Sequence, residues 1–362
     1  MLSTRTGVGY VTAGLVQALA PDPSIELVAF AVTWRGRHQL SSIVPAGVLT
    51  RPRPFPARLA RVLWPRTPHP RAEYWTGEVD VVHAPNFVAP PARAPVLVTV
   101  HDLAFAHSPE LCTRDARTYM RLLEVAIGRG ATIHTYSKYV AAEVRAHFDL
   151  PNERIFQIYP GLTPTTGHDP VRGRHLARHD RYIVALGTIE PRKNLPALVE
   201  AFDRVAKVDR EVALVIAGPD GWGVDAFVAA CEASRHHDRI VRLGYVDERD
   251  RRDLLAGASV LAYPSLYEGF GLPPLEAMQV GTPVVASNAG ALEEVLGDAA
   301  LLHDPRDVDA LAAALQEVLA AGPLRDRLLR AGTERVRRYS WRECADSLPR
   351  LYRTLACSDG HH

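Results

Sequence analysis

Two short stretches, about 75 positions apart, carry the residues best suited to chemistry. GTIEPRKN (187–194) sets Arg192 and Lys193 just beyond a run of apolar residues. Arg offers phosphate a planar two-pronged donor and Lys a point charge. EGFGLPPLE (268–276) places Glu268 before two glycines and Glu276 after two prolines. Pro273 and Pro274 suit the first turn of a helix, and Gly269 and Gly271 suit a tight loop leading into it. Glu268 is therefore expected in the loop and Glu276 in the first helical turn. A helix N-terminus is a ready anion site. Basic residues at one place and a carboxylate-flanked helix start at another suit an anion-carrying ligand.

Such groups need elements to position them. YIVALG (182–187), VALVIAG (212–218), RIVRLG (239–244), SVLAYP (259–264) and TPVVAS (282–287) are short apolar runs, as in strands covered on both faces. Helical patterns such as LPALVEAFDRVAKV (195–208) lie between them. This alternation predicts a doubly wound parallel sheet, with ligands at the carboxyl ends of its strands. The first half repeats the scheme in IELVAFAVT (25–33), VDVVHA (79–84), PVLVTV (95–100), ATIHTYS (131–137) and RIFQIYP (154–160), with helices expected over 113–129 and 138–148. The polar stretch 161–181 reads as a linker. The expected division is 1–163, 164–340 and a closing helix and tail over 341–362 that returns to the first domain. A cleft between two such domains is a preferred ligand site.

TGVGYVTAGLVQALA (6–20) reads as a glycine turn running into a helix that Pro21 stops. Such a turn normally follows a strand, and only six residues precede Gly7. The reading frame is therefore expected to begin upstream by roughly ten to fifteen residues, one strand and a short loop.

The chain has 362 residues and a net charge of +1, which gives no case for nucleic acid. The charge is uneven: residues 1–161 hold 17 Lys and Arg against 12 Asp and Glu, whereas the remainder holds 25 against 29. From Leu27 to Ala72 there are eight arginines and no acid. Within that run, RPRPFPARLARVLWPRTPHPR (51–71) mixes six arginines with Phe55, Leu59, Leu63 and Trp64. It reads either as a basic surface for anionic lipid or a lipid-linked acceptor, or as an excursion whose apolar residues cover the core. The four scattered cysteines form no C-x-x-C, so neither a disulfide framework nor a metal site is expected. Asp307 and Asp309, the one D-x-D, fall in a helical pattern and read as its solvated face. His134 sits in an apolar strand and reads as a satisfied core histidine. No signal peptide or membrane span is apparent. The expectation is a soluble cytoplasmic protein, with membrane association open.

GTIEPRKN followed by SLYEGFGLPPLEAMQVGTPVVAS resembles the donor-binding half of family 4 glycosyltransferases, and the spacing of Glu268 and Glu276 matches the family's E-x7-E signature. DVVHAPN (80–86), TVHDLAF (99–105) and HTYSKYVAAEV (134–144) resemble its acceptor-side domain. The likeness spans about residues 6–350. It implies an α/β fold of the GT-B class, two Rossmann-like domains facing across a cleft. It also implies a retaining, metal-independent transferase taking a nucleotide-diphosphate sugar, with no cofactor. Mannose from GDP-mannose ranks first, then UDP-sugars; the acceptor is a glycan, a glycolipid or another hydroxyl. By the resemblance, Arg192 and Lys193 bind the donor diphosphate and Glu276 the ribose. Glu268 contacts the sugar hydroxyls, and His101 of VHDL reaches the sugar from the first domain. Gly187, Gly269, Phe270, Gly271 and Leu272 line the donor, and Gly7 and Gly9 match the N-terminal glycine loop. Thr188 stands where some relatives carry Arg, so one phosphate contact is absent. Glycosyl transfer needs charge stabilised on a departing phosphate and on a cationic ring; the cations meet the first need and Glu268 the second. Two other readings are a non-catalytic nucleotide-sugar-binding subunit and another enzyme on this fold, such as an epimerase. A phosphorylase would need a further lysine for pyridoxal phosphate, and Lys occurs only at 138, 193 and 207.

Overall fold

A computed structural model describes residues 7–34, 37–51, 53–112, 116–164, 167–320 and 322–358. The chain divides into two compact units, 1–163 with 339–362, and 164–338.

The first unit opens with the helix Gly7–Leu19, whose Val11, Leu15 and Leu19 are buried. Strands β1 (Val28–Ala29) and β2 (Leu49–Thr50) form a small parallel pair. β3 (Val82–Ala84), β4 (Val96–Val100), β5 (Thr132–Thr135) and β6 (Ile155–Gln157) form a parallel sheet in that order. The helices Ala116–Gly128 and Lys138–Phe148 stand where periodicity places them. The closing helix Trp341–Ser358 packs Cys344, Leu348 and Leu351 with Leu15, Leu19 and Leu97. A buried polar chain ties it to the sheet: Tyr352 Oη to His83 Nδ1 at 2.7 Å, His83 Nε2 to Thr99 Oγ1 at 2.8 Å, Thr99 Oγ1 to His134 Nδ1 at 3.0 Å, and His134 Nε2 to the Ile158 carbonyl at 3.1 Å. The carbonyl can only accept, so His134 donates from Nε2 and accepts at Nδ1. Thr99 must then donate to it and accept from His83, which leaves His83 Nδ1 to accept from the Tyr352 hydroxyl. Both histidines are held neutral by that order. His134 is fully buried, the satisfied core histidine its setting suggests.

The second unit is one six-stranded parallel sheet of β7 (Tyr182–Leu186), β8 (Ala213–Ala217), β9 (Ile240–Gly244), β10 (Val260–Tyr263), β11 (Val284–Ser287) and β12 (Leu301–His303), ordered β12-β11-β10-β7-β8-β9. Every residue of β7, β8, β10 and β11 is buried, as in strands covered by helices on both faces. The helix Leu195–Val208 lays Leu198, Val199, Phe202 and Val205 on this core; each such side chain contributes about 1.5–3 kcal/mol when fully buried. The strand order reverses between β10 and β7, and the crevice beyond their carboxyl ends is where such sheets bind ligands.

Three details depart from the sequence reading, in Gly7 and Gly9, in 161–181 and in Glu276, whereas Asp307 and Asp309 are exposed at the start of a helix as read. Gly7 and Gly9 lie in the first turn of the opening helix and not in a turn ahead of it; the residues before Gly7, where a first strand was sought, lie outside the described residues. The stretch 161–181 is not all linker: Pro170–Ala177 is a helix, capped by the Asp169 side chain on Val171 N and Arg172 N. It packs on the helix Glu248–Gly257, and Arg172 pairs there with Asp253 and Asp250. The helix after the glycine loop is Leu272–Gln279, so Glu276 is its fifth residue and stands in the second turn. Asp307 is the N-cap of the helix Val308–Leu319, accepting from Ala310 N, and Asp309 pairs with Arg204 at 2.8 Å. All four cysteines are free.

Candidate active site

The loop after β7 begins at Gly187, whose φ of +134° leads the chain off the sheet beneath Lys193; a Cβ there would sit 3.2 Å from Lys193 Cε. A 3₁₀ turn, Pro191–Lys193, follows. Asn194, in the left-handed conformation at φ 55°, starts the next helix. Its Nδ2 donates to the Pro264 carbonyl at 3.2 Å and the Pro305 carbonyl at 2.8 Å, fastening the loops after β7, β10 and β12. Leu266 N donates to the Arg192 carbonyl at 2.8 Å. Arg192 and Lys193 are thus held against the loop after β10.

Glu268 lies in that loop, 6% exposed. Its Oε1 accepts from Lys193 Nζ at 2.6 Å, and its Oε2 is 3.8 Å from Arg192 Nη1. Lys193 Nζ also donates to the Tyr263 hydroxyl at 2.8 Å and stands 4.7 Å from the centre of that ring. Arg192 Nε and Nη2 reach Glu190 Oε1 at 3.1 and 3.0 Å. Gly290 backs the loop. Its φ is +62°, and any Cβ would overlap the Glu268 backbone.

Two cations therefore meet two carboxylates, Glu190 and Glu268, and the cluster is electrically balanced. Burial alone would raise the Glu268 carboxyl, but the charges of Lys193 and Arg192 and the lysine hydrogen bond outweigh it and hold it at about 2. Burial disfavours the Lys193 ammonium, and the attraction of Glu268 overcomes this, so its pKa is raised. Burial and the adjacent Glu268 charge push the Tyr263 hydroxyl up, well beyond neutral pH. At neutral pH Glu268 is a carboxylate, Lys193 an ammonium and Tyr263 a neutral phenol.

Glu276 lies on the helix beyond. Gly271, at φ 103°, caps this helix; Pro273 and Pro274 follow Leu272 and carry no N–H. The donor capacity of the helix start is thereby left to Gly271 and Leu272, within the stretch singled out by sequence. Glu276 Oε1 pairs with Arg251 Nη2 at 3.1 Å, whereas Oε2 is buried without a hydrogen-bond partner. Burial raises the Glu276 carboxyl, Arg251 opposes this and Glu248 adds to it. A buried, unpartnered carboxylate oxygen suits a hydroxyl-bearing ligand, since leaving it unmet costs about 1–3 kcal/mol.

In the first unit, His101 follows β4. Its Nε2 donates to the Pro85 carbonyl at 2.9 Å, which leaves Nδ1 as the acceptor, and burial lowers its pKa. Gly7 and Gly9 belong to the same unit. Arg192, Lys193 and Glu268 converge on one cluster. Sequence reasoning missed two partners there, Glu190, which stood inside the quoted motif as an uncounted charge, and Tyr263, and it missed Arg251 beside Glu276; only the strand order brings the last two near. Among the described residues no three His, Cys, Asp or Glu side chains come together as a metal-ligand set.

A doubly wound parallel sheet with cations and carboxylates gathered at its switch point defines an α/β protein with a candidate ligand site beyond its strand ends. Residues 172–335 match the family described as glycosyl transferases group 1, and residues 5–166 match glycosyltransferase family 4. Over 298 residues the chain is 33% identical to the O-antigen chain mannosyltransferase B of Escherichia coli, covering 79% of this chain and 78% of that protein. It is 28% identical over 319 residues to the phosphatidyl-myo-inositol mannosyltransferase of Mycobacterium leprae, covering 85% and 82%. Among solved structures, the sucrose-phosphate synthase of Thermosynechococcus elongatus superposes with a TM-score of 0.74 at 21% identity, over 98% of this chain and 94% of that one. WaaG, a glycosyltransferase involved in lipopolysaccharide biosynthesis, superposes at 0.73 and 16% identity over 96% of each. The chain belongs to the family 4, group 1 glycosyltransferases. It has the GT-B fold, and it is a glycosyltransferase.

Proposed function

We propose that this enzyme transfers mannose from GDP-mannose, with retention at the anomeric carbon and without a metal ion, to a hydroxyl of a glycan or lipid-linked acceptor. The observation that carries the reading is the Lys193–Glu268–Arg192 cluster at the sheet's switch point; the mannosyltransferase relatives support the choice of sugar. The donor diphosphate competes with Glu268 for Lys193 and Arg192. As the cations turn to the phosphates, the Glu268 carboxylate is released toward the sugar. It accepts from sugar hydroxyls and, being ionised at neutral pH, faces the ring as that ring becomes cationic. Glu276 holds the ribose through its unpartnered Oε2. His101, held by the Pro85 carbonyl, presents an acceptor nitrogen to the sugar. The departing phosphate takes the acceptor's proton, so no separate enzymic base is needed on the attacking face. Preorganised charges of this kind are often the largest catalytic contribution, and one lost donor costs about 3 kcal/mol.

The reaction belongs on the cytoplasmic face of a membrane, with residues 51–71 toward anionic lipid. No described helix is long and apolar enough to cross a membrane. In the stretch 51–71, Phe55 and Trp64 pack into the core with Trp75, while Arg58, Leu59, Val62 and Arg66 remain exposed. Phe55 and Trp64 thus serve the fold, and an exposed face that mixes Arg58 and Arg66 with Leu59 and Val62 is left to a partner.

A thermal-shift screen against GDP-, UDP-, ADP- and dTDP-sugars tests the donor, with GDP-mannose expected to give the largest shift. At a hundred times its Kd a ligand adds about 2.7 kcal/mol. NMR of the first product should show the donor's anomeric configuration kept. Turnover should persist in EDTA; complete loss restored by Mg²⁺ or Mn²⁺ would overturn the metal-independent reading.

A further inference from the structure

We propose that Arg251 is a positioning residue of the donor site: it holds one oxygen of Glu276 so that the other is aimed at the ribose, and it thereby sets the preference for a ribonucleotide over its deoxy counterpart. The proposal rests on the reading of Glu276 as the ribose ligand and deepens it. Arg251 belongs to the helix Glu248–Gly257, which leads from β9 back to β10 and packs beside the helix Leu272–Gln279. Asp247 caps the first of these by accepting from Asp250 N at 2.8 Å, and Arg251 N donates to the Asp247 carbonyl at 2.9 Å. Arg251 therefore closes the first turn. Each helix follows the carboxyl end of a strand, so Arg251 and Glu276 meet on the ligand-binding side of the sheet.

The pair is asymmetric. A guanidinium fork commonly meets both oxygens of a carboxylate. Here Arg251 Nη2 stands 3.1 Å from Glu276 Oε1, while Oε2 is buried and meets no hydrogen-bond partner among the described residues. Both side chains are mostly buried, at 22% and 18% exposure, so their attraction is screened less than that of a surface pair. Were the tie between helices its whole role, a two-pronged contact would serve better. One oxygen held and the other unmet is the arrangement of a carboxylate that waits for hydroxyl donors. Charge matters as well as aim. The charged groups acting on Glu276 are Arg251 and Glu248, both from one helix; the helix Pro323–Val336, which also packs here, sets Gly332 against Met278. Burial and Glu248 raise the Glu276 carboxyl, and Arg251 opposes them. An ionised carboxylate only accepts, which suits ribose hydroxyls that donate. A deoxy nucleotide leaves the oxygen unmet, and a site built to bond a hydroxyl rejects the analogue that lacks it.

The test uses the full chain and titration calorimetry with GDP and UDP, each against its 2′-deoxy and 3′-deoxy analogues. Wild-type protein should prefer the ribonucleotide over at least one analogue by on the order of tenfold to a hundredfold, the worth of a hydrogen bond to a charged group. E276A should lose that preference. R251M should keep about threefold or less of it, and R251K, which retains the cation, should recover most. Each preference is a ratio within one protein sample, so a misfolded fraction does not alter it. In R251M burial and Glu248 push the carboxyl up without Arg251 to oppose them, so its remaining preference should fall from pH 8 to pH 6 more than that of the wild type. A preference that E276A removes and R251M keeps would overturn the proposal and leave the ribose reading standing. That is the result expected if Arg251 only tied two helices or touched another part of the nucleotide. Wild-type protein indifferent to both ribose hydroxyls would overturn the ribose reading as well.

Discussion

Lys193→Met tests the cluster most directly. The substitution removes the cation 2.6 Å from Glu268 and the donor to the Tyr263 hydroxyl, and it leaves a buried carboxylate. The difference between the ordinary 4.5 and about 2 corresponds to about 3 kcal/mol of attraction, and breaking a buried pair usually costs about 3–5 kcal/mol. Lys193→Met should therefore lose about 3 kcal/mol of stability at pH 7 by chemical denaturation. Lys193→Met/Glu268→Gln, with no charge left buried, should recover most of it. The pH dependence also has a definite sign. In the wild type the Glu268 carboxyl is depressed, so its contribution is full above pH 4.5 and is lost as pH falls toward 2. In the single variant only Arg192 still opposes burial, so that carboxyl titrates higher than in the wild type and acidification relieves part of the penalty. The gap between the two proteins should narrow as pH falls. Turnover should drop by two to three orders of magnitude in both variants, about the value of one lost donor in the transition state. A single variant as stable and active as the wild type would refute the reasoning. So would a double variant no more stable than the single.

The remaining predictions concern the surroundings of this pair. Glu276→Ala should mainly raise the donor KM and Glu268→Gln mainly lower kcat, with free GDP binding nearly unchanged in the latter; reversed effects on steady-state kinetics would exchange their roles. Gly290→Ala, at φ +62° against the Glu268 backbone, should cost about 1–3 kcal/mol and lower kcat by displacing the loop; a melting temperature equal to wild type would contradict this. Burial, with neighbouring histidine charge, holds His83 at about 3, and burial holds His134 at about 4. The unfolded chain therefore takes up protons first, and stability should fall as pH drops below about 6.5, by on the order of 2 kcal/mol per histidine at pH 5. Denaturation at pH 7 and pH 5 measures it, and an unchanged midpoint would rule out neutral burial of the pair.

Much of the second unit was legible because buried strands are chemically simple. Runs such as YIVAL and ALVIA admit little but a covered strand, and LPALVEAFDRVAKV carries its apolar face in plain spacing. β12 escaped notice because Leu301–His303 is too short to give a run. Pro170–Ala177 escaped because PVRGRHLA has few apolar residues to space; its cap and its pairs to Asp250 and Asp253 hold it. The active-site residues were legible as types. Their pairing was not: it depends on Glu190 turning back on Arg192, on Tyr263 reaching Lys193 and on Arg251 reaching Glu276, the last two from elements that only the strand order brings near. Glu276 moved from the first turn to the second because the helix begins only at Leu272.

The closing helix has a consequence for the order in which the protein is made. Tyr352 meets His83, 269 residues away, and Leu348 and Leu351 meet Leu15 and Leu97, so the ribosome delivers the two sides of that core far apart in time. A chain emerging at about 5–20 residues per second completes residues 164–338 while the earlier unit still lacks its last helix. The second unit can therefore close first, although it comes later in the sequence. Until residue 352 appears, His83 Nδ1 has no hydroxyl to accept from, and the apolar face of the opening helix stays wet. In a cell, the nascent first unit is the part that would engage a chaperone. A stop codon shortly before Trp341 would leave the second unit intact and the first one permanently unfinished.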